Sequence, residues 1–299
     1  MHVAVTGATG FLGRYVVNRL TAAGHRCRCW HRASGDRGGF EHPERIDWLE
    51  GDLSDPASAE ALLAGVDAVV HGALYRPGRF FRGGEGDLAV FTEKNVLGSI
   101  RLMDHAFRRR VGRFVFISTC AVHEVILEDR PLDEAHPLWP RSHYGAHKAA
   151  VEAFVHSFGH GQGYPICALR PTGVYGLNRP IETSKWYDLI HRVARGEEVD
   201  SDRGGKEVHV ADVARAVEIL LTADGVTGQA YNCYDLYVSE QTVAEIARQV
   251  SGSAARIAAH DRQPRHQIDT AKLRALGMTF GGRPLLEQTV RELLARTPC

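Results

Sequence analysis

The chain carries no excess of charge of either sign: 36 lysines and arginines stand against 36 aspartates and glutamates. Binding to nucleic acid or to an anionic membrane needs a basic surface, so neither partner is expected. The one basic run, Arg108-Arg109-Arg110, is short enough to be the solvated end of a helix. Long apolar stretches are also missing, and nothing approaches the roughly 18 to 20 residues of a spanning helix. The N-terminus opens on a strand pattern instead of a basic-then-apolar leader, so a cytoplasmic location is expected. The six cysteines, Cys27, Cys29, Cys120, Cys167, Cys233 and Cys299, are scattered, with spacings that suit neither a disulfide framework nor a zinc site. None of the sixteen histidines sits in an H-E-x-x-H pattern, and no metal site is expected.

What the chain does have is concentrated at its start. Val3-Ala4-Val5 is a short apolar run that leads into Thr6-Gly7-Ala8-Thr9-Gly10-Phe11-Leu12-Gly13. A helical pattern follows, with Phe11, Leu12, Val16, Val17 and Leu20 on one side. Strand, G-x-x-G-x-x-G and helix in that order form a dinucleotide-binding turn. Gly7 permits the tight turn, Gly10 lets backbone approach a pyrophosphate, and Gly13 lets the helix pack closely on the strand. The free N–H groups and positive dipole end of the helix suit the phosphates.

The first half then alternates strand with helix. Strands are predicted at Cys27–His31, Ile46–Glu50, Ala68–Ala73, Phe114–Ser118 and Ile166–Leu169. Helices are predicted at Ser58–Leu63, Asn95–Phe107 and Tyr144–Phe158. That alternation predicts an α/β fold with a doubly wound parallel sheet and right-handed crossovers. After Arg170 helices dominate (about Thr183–Arg195, Val213–Leu221, Ser239–Val250 and Leu285–Leu294) and strands shorten. The expected division is a dinucleotide-binding domain over 1–170, completed by about 205–235. A smaller α+β substrate lobe over 171–204 and 236–299 would cover the carboxyl edge of the sheet, where open α/β sheets bind ligands. Gly78–Gly86, rich in glycine and arginine, reads as a mobile loop near the site.

Tyr144 and Lys148 lie at i and i+4 at the start of a predicted helix and so share a face. A phenol titrates near 10, too high for a base at neutral pH, and an ammonium one turn away favours the phenolate. Ser118 and Thr119 end a strand at the carboxyl edge, where a hydroxyl can share a hydrogen bond with a substrate oxygen and with Tyr144. Together these groups suit proton transfer during hydride chemistry at a carbinol carbon.

At this point the chain resembles an extended short-chain dehydrogenase/reductase of the NAD(P)-dependent nucleotide-sugar epimerase/dehydratase family. The resemblance rests on the glycine turn and on Tyr144-Gly145-Ala146-His147-Lys148. It extends through Gly51-Asp52-Leu53, Val69-Val70-His71-Gly72-Ala73, Asn95-Val96-Leu97-Gly98, Phe116-Ile117-Ser118-Thr119, Leu132-Asp133-Glu134, Leu169-Arg170-Pro171, Val174-Tyr175-Gly176 and Val208-His209-Val210-Ala211-Asp212. The family implies a Rossmann sheet and an enzyme. Tyr144 would be the acid/base, Lys148 the holder of the ribose hydroxyls, and Thr119 the catalytic hydroxyl, with Ser118 next in line. Gly7, Thr9, Gly10, Phe11, Leu12 and Gly13 would carry the cofactor, as would Arg32, Asp52, Leu53, Gly72, Ala73 and Leu74. Asn95 would be a cofactor or structural contact, and Pro171 and Thr172 would lie near the nicotinamide. Members are often dimers, which implies a homodimer through the Asn95–Phe107 and Tyr144–Phe158 helices.

An acidic residue at the end of the second strand would grip the ribose 2′-hydroxyl of NAD. Here the sequence reads Trp30-His31-Arg32-Ala33-Ser34, with no acid before Asp36. Arg32 could meet the 2′-phosphate, which favours NADP over NAD. Family dehydratases carry Asp-Glu after the catalytic threonine; Cys120-Ala121 stands there instead. The leading expectation is therefore an epimerase of a nucleotide sugar, which needs only Tyr144, Thr119 and the cofactor. The alternative is an NADP-dependent reductase or dehydrogenase of a small carbonyl, sugar or polyol. Cys120 and His123 are candidate substrate contacts that could move a proton beside a keto group. Lys206 could bind a substrate phosphate as a point charge. Gly173, where members often carry Asn, weakens the nucleotide-sugar assignment.

Overall fold

The apolar run that opens the chain is the centre of a sheet, and Val3, Ala4 and Val5 are all fully buried. A computed structural model describes residues 1–78, 81–261 and 264–296. Two compact units emerge: one over Met1–Pro171, Val213–Cys233 and Ile268–Met278, the other over Thr172–Asp212, Tyr234–Gln267 and Thr279–Cys299. Of the six cysteines, Cys299 lies outside the described residues.

In order along the chain the first unit runs β1 (His2–Thr6), α1 (Phe11–Ala22), β2 (Arg26–His31), β3 (Ile46–Glu50), α2 (Pro56–Leu63) and β4 (Ala68–His71). It continues with α3 (Leu88–Thr92), α4 (Gly98–Arg108), β5 (Arg113–Ile117), α5 (His143–His156) and β6 (Ile166–Pro171). Between the units' segments come β7 (Gly173–Tyr175), α6 (Tyr187–Ala194), β8 (Gly204–His209), α7 (Val210–Thr222), β9 (Gln229–Cys233), β10 (Leu236–Ser239), α8 (Glu240–Ser251), α9 (Ala271–Ala275) and α10 (Gly282–Ala295).

Seven parallel strands form the Rossmann sheet in the order β3-β2-β1-β4-β5-β6-β9. Registers such as Val3↔Cys27, Val3↔Ala68 and Phe114↔Ile166 set the strand ends level. Strands covered by helices on both faces need apolar residues in succession, and Ala68–His71 is buried throughout. One core cluster joins Leu62, Leu102, Met103, Phe114, Val151, Val155 and Ile166 across sheet and helices. The chain leaves β1 toward β2 on one side and returns to β4 on the other. This reversal is a topological switch point, and ligands of such sheets bind beside the carboxyl ends there.

The predicted helix Asn95–Phe107 is built differently. It begins earlier as α3, widens through a π-helical turn at Glu93–Leu97, and resumes as α4. The widened turn carries Asn95, which is buried. The second unit holds a three-stranded sheet, β10-β8-β7, with β7 and β8 parallel and β8 and β10 antiparallel. Its core gathers Tyr175, Ile190, Val193, Val243, Leu286 and Val290. The helix predicted over Thr183–Arg195 starts only at Tyr187, because Trp186 at φ 65° takes the left-handed conformation and breaks the continuation.

Candidate active site

At the carboxyl end of β1, Gly7 turns with φ +75°. A Cβ there would come within 2.8 Å of the Gly72 carbonyl, so the β1 and β4 connections close on each other only because Gly7 has none. A Cβ at Gly13 would overlap the Gly7 carbonyl oxygen and lie 2.8 Å from the Ala8 Cα. Gly10 differs: it is exposed, its φ is −79°, and a Cβ would meet only the Gly7 oxygen at 3.3 Å. The outer side of Gly10 is therefore open. Helix α1 has no side-chain cap and no acidic residue in its first turn, so its N–H groups face that space uncompensated. This turn fits the pyrophosphate of a dinucleotide.

The same sheet edge holds the other first-unit candidates, each just past a strand end. Arg32 follows β2, Asp52 and Leu53 follow β3, Gly72, Ala73 and Leu74 follow β4, and Pro171 ends β6. Arg32 is exposed, and the Asp52 carboxylate accepts from the Ser54 N–H at 2.6 Å. Asn95 acts as a backbone clamp: its amide accepts from the Tyr75 N–H at 2.8 Å and donates to the Tyr75 carbonyl at 2.9 Å and the Phe91 carbonyl at 3.0 Å. The amide fixes the segment after β4, a structural contact within the first unit. Thr172 and Lys206 lie in the second unit, Lys206 on β8 opposite Tyr237.

Helix α5 starts at Ser142, whose hydroxyl accepts from the Gly145 N–H at 3.1 Å. Glu124 anchors this start by accepting from the Arg141 N–H at 2.5 Å, the Ser142 N–H at 2.7 Å and the Ser142 hydroxyl at 2.9 Å. Tyr144 is thus held in the first turn, close enough to the Thr119 side chain for that hydroxyl to favour the phenolate. Burial raises the phenol above its ordinary value, and the Thr119 hydroxyl and the Arg82 and Arg76 charges pull it down only in part. Lys148 is buried and donates from Nζ to the Ile117 carbonyl at 2.7 Å. Burial lowers its ammonium to about 7, against a pull upward from Glu152. The phenyl ring of Phe81, in the loop expected near the site, lies 5.4 Å from the Tyr144 ring. Residues 79 and 80 of that loop lie outside the described residues.

Ser118 and Thr119 face opposite ways, as successive residues at a strand end do. Thr119 meets Tyr144, whereas the Ser118 hydroxyl is tied to the Glu152 carboxylate beneath the site. Glu152 in turn takes Arg170 through Nε at 2.9 Å and Nη2 at 2.6 Å, in a pair buried from solvent. Arg170 Nη1 also meets His123 Nε2 at 3.1 Å, and His123 Nδ1 lies 3.2 Å from the Pro137 carbonyl. A carbonyl only accepts, so Nδ1 carries the hydrogen and Nε2 accepts from the guanidinium. Burial and Arg170 lower the ring to about 4. The Cys120 thiol donates to the Arg170 carbonyl at 3.0 Å, and burial pushes it up to about 12. Both ring nitrogens and the thiol hydrogen are engaged, so this structure leaves neither Cys120 nor His123 free to pass a proton to a substrate. Sequence reasoning missed Glu124, Glu152 and Phe81. Only Glu152 had a local signal, its i+4 spacing from Lys148.

Comparisons with known proteins give the family. Residues 3–233 match the model of the NAD dependent epimerase/dehydratase family. The chain is 30% identical over 304 residues to a low-salt glycan biosynthesis protein of Haloferax volcanii, covering 93% of each chain. It is 31% identical over 255 residues to the dTDP-glucose 4,6-dehydratase of Streptomyces antibioticus, covering 78% of this chain and 71% of that one. Among solved structures, the UDP-glucose 4-epimerase of Thermus thermophilus in complex with NAD is 25% identical. Its TM-score is 0.80, and the match covers 99% of this chain and 100% of that one.

Proposed function

The chain belongs to the NAD dependent epimerase/dehydratase family and is an enzyme of the short-chain dehydrogenase/reductase type, and from that footing we propose that it is an NAD(P)-dependent epimerase of a nucleotide sugar. The observation that carries this reading is the Thr119–Tyr144–Lys148 group at the edge that also holds the glycine turn, with no acid/base pair after the threonine. A bound oxidised nicotinamide would supply the two-electron acceptor and a positive charge that favours the phenolate. Tyr144 takes the hydroxyl proton of the substrate as its carbon is oxidised to a ketone. Thr119 holds the same oxygen. Lys148 holds the ribose hydroxyls and keeps a positive charge one turn from the phenol. After the ketone presents its other face, the steps reverse, and the net change is inversion at one carbon. A 4,6-dehydratase would need a second acid and base beside the threonine, and Cys120, held as a thiol against the Arg170 carbonyl, offers neither.

One observation favours the alternative, a reductase or dehydrogenase of a small carbonyl. In the second unit the buried Glu207 carboxylate pairs with Lys185 at 2.5 Å and occupies the space beside Gly173, where a Cβ would come within 2.5 Å of it. The space that an asparagine side chain at position 173 would need is therefore filled by a carboxylate. The adenosine end supports NADP: Arg32 is exposed, and the Asp36 carboxylate is already taken by Arg14 at 3.0 Å. The NAD found in the Thermus structure points to the other form. We further propose a homodimer through α5 and through α4 with the π-helical turn before it, where Phe154 and Leu97 are exposed. The five described cysteines are free thiols, which fits the cytoplasm.

The test is incubation of the purified chain with UDP-glucose and dTDP-glucose and each cofactor, followed by proton NMR. A C4 epimer without net change in cofactor supports the proposal. A 4-keto-6-deoxy product overturns it in favour of dehydration, and steady consumption of cofactor with a small carbonyl establishes the alternative.

A further inference from the structure

Beneath the tyrosine–lysine pair lies a charged cluster to which the proposed chemistry gives no part. Glu152 and Arg170 are 0% and 1% exposed, and burying an ion pair this deeply seldom contributes to stability by itself. Glu152 lies one helical turn past Lys148 on α5, on the same face. Its orientation is fixed from two strands. Ser118 at the end of β5 donates to one oxygen, and Arg170 on β6 grips both, Nε reaching Oε1 at 3.1 Å and Oε2 at 2.9 Å. Arg170 is held in place by His123 and by the Glu134 carbonyl at 3.3 Å.

The surroundings of Lys148 explain why such a carboxylate is needed. From β5 it meets the Ile117 carbonyl and the Phe116 ring, whose centroid is 4.6 Å from Nζ. From β4 it faces His71, whose Nδ1 lies 2.7 Å from the Thr6 hydroxyl and Nε2 2.8 Å from that of Ser99. Ser99 gives its own hydrogen to the Asn95 carbonyl, so it accepts from His71, and the ring is neutral with both nitrogens engaged. On its own helix it has Tyr144, His147 and Glu152. Burial lowers His71 to about 3 and His147 to about 2, so neither carries charge at neutral pH. Across β6 the charged neighbour is Arg170, a cation. Glu152 is the anion whose charge raises the Lys148 ammonium, while its hydrogen bonds go to Ser118 and Arg170.

We propose that Glu152 is a positioning residue for the tyrosine–lysine pair: pinned by Ser118 and Arg170, its carboxylate keeps the proton on Lys148. The inference deepens the proposed chemistry and rests on Lys148 and Tyr144 being its working pair. Ser118 and Arg170 matter through Glu152, because they fix the distance at which its charge acts. A carboxylate free to rotate would fold onto Lys148 and draw the ammonium away from the ribose it is to hold.

The sequence makes a direct test practical, since it contains five lysines, Lys94, Lys148, Lys185, Lys206 and Lys272. The full chain, labelled with carbon-13 at the lysine ε carbons and saturated with NAD, is titrated by NMR, and Lys148 is assigned with Lys148→Arg. In Glu152→Gln the Lys148 midpoint is expected to fall by about one pH unit or more, a tenfold gain in acidity. Glu152→Asp, which keeps the charge, should recover most of that shift. A folded Glu152→Gln whose Lys148 midpoint stays within about 0.3 unit of the parent would make Glu152 a purely structural tie and overturn the proposal. If Glu152→Gln alone does not fold, Glu152→Gln/Arg170→Gln removes both charges while preserving shape. The nearer charge along the helix decides, so the Lys148 midpoint should still fall, and an unchanged midpoint again refutes the idea. The titration needs no turnover, so an inactive chain toward UDP-glucose would count against the epimerase reading alone.

Discussion

The three glycines of the first turn look alike in sequence but do different work, and alanine substitution separates them. Gly7→Ala places a side chain at φ +75°, which costs about 1–2 kcal/mol by itself. Its Cβ also lies 2.8 Å from the Gly72 carbonyl carbon and oxygen and 2.9 Å from the Ala73 nitrogen, all backbone, so relief requires moving the β1 or β4 connection. Overpacking of that kind adds about 1–3 kcal/mol, for a total loss of about 2–5 kcal/mol. Gly13→Ala gains about 1 kcal/mol of helix propensity but drives a methyl into the Gly7 carbonyl, so it should still destabilise. Gly10→Ala meets only one atom, at 3.3 Å, and should leave the apoprotein within about 1 kcal/mol of the parent. Its methyl projects where a pyrophosphate would lie. The assay is urea unfolding with and without dinucleotide. At 100 times the dissociation constant the parent should gain about 2.7 kcal/mol from the cofactor, and a variant bound tenfold more weakly about 1.4. Gly7→Ala is expected to lose apo stability and Gly10→Ala to lose the ligand-dependent gain. The reasoning fails if Gly7→Ala unfolds with the parent, or if Gly10→Ala keeps the full gain.

Four further outcomes are expected. Tyr144→Phe should lower turnover by about 10²- to 10⁴-fold while cofactor binding, read by fluorescence titration, stays within a few-fold. Lys148 binds its proton less well folded than unfolded, so acid favours the unfolded chain. Apo stability should rise with pH from about 7 toward the unfolded lysine value, and Lys148→Met should flatten that slope in melts recorded across the range. Arg32→Ala should weaken NADP binding by about tenfold or more and leave NAD little changed, as seen by calorimetry; an equal loss for both would mean that Arg32 only stacks on adenine. Phe154→Glu should shift the mass measured by light scattering from dimer to monomer, and a parent already monomeric would remove the dimer proposal.

The alternation of apolar strands with amphipathic helices was enough to place β1 to β6 and the glycine turn, because both depend on local periodicity. Ile46–Glu50 was read with its observed ends. The sequence Asn95–Phe107 reads as one helix because Val96, Ile100, Met103 and Phe107, spaced by four, three and four, suit a regular helix and a widened turn alike. Only the Tyr75 backbone, twenty residues back, shows why Asn95 must turn inward. Choosing between Ser118 and Thr119 depended on where β5 ends, and a slip of one residue reverses which hydroxyl faces Tyr144. Glu152 stood in view four residues after Lys148. Its partners come from 34 residues before and 18 residues after, and no window along the chain joins them. Cys120 and His123 have the chemistry to move a proton. Their engagement by Arg170 and Pro137 exists only once β6 and the loop after β5 are assembled.

The sheet that carries the site is not finished when its first six strands exist. β6 is buried along its whole length, and its outer neighbour β9 spans Gln229–Cys233, while the unit closes only with Ile268–Met278. On the ribosome β9 follows Pro171 by roughly sixty residues, or about 3–12 s of synthesis. Throughout that interval Ile166–Pro171 is a bare apolar edge with an unpaired row of N–H and C=O groups, open to a strand from another nascent chain. The yield of soluble protein should therefore depend on elongation rate and chaperone supply more steeply than the stability of the finished fold would suggest.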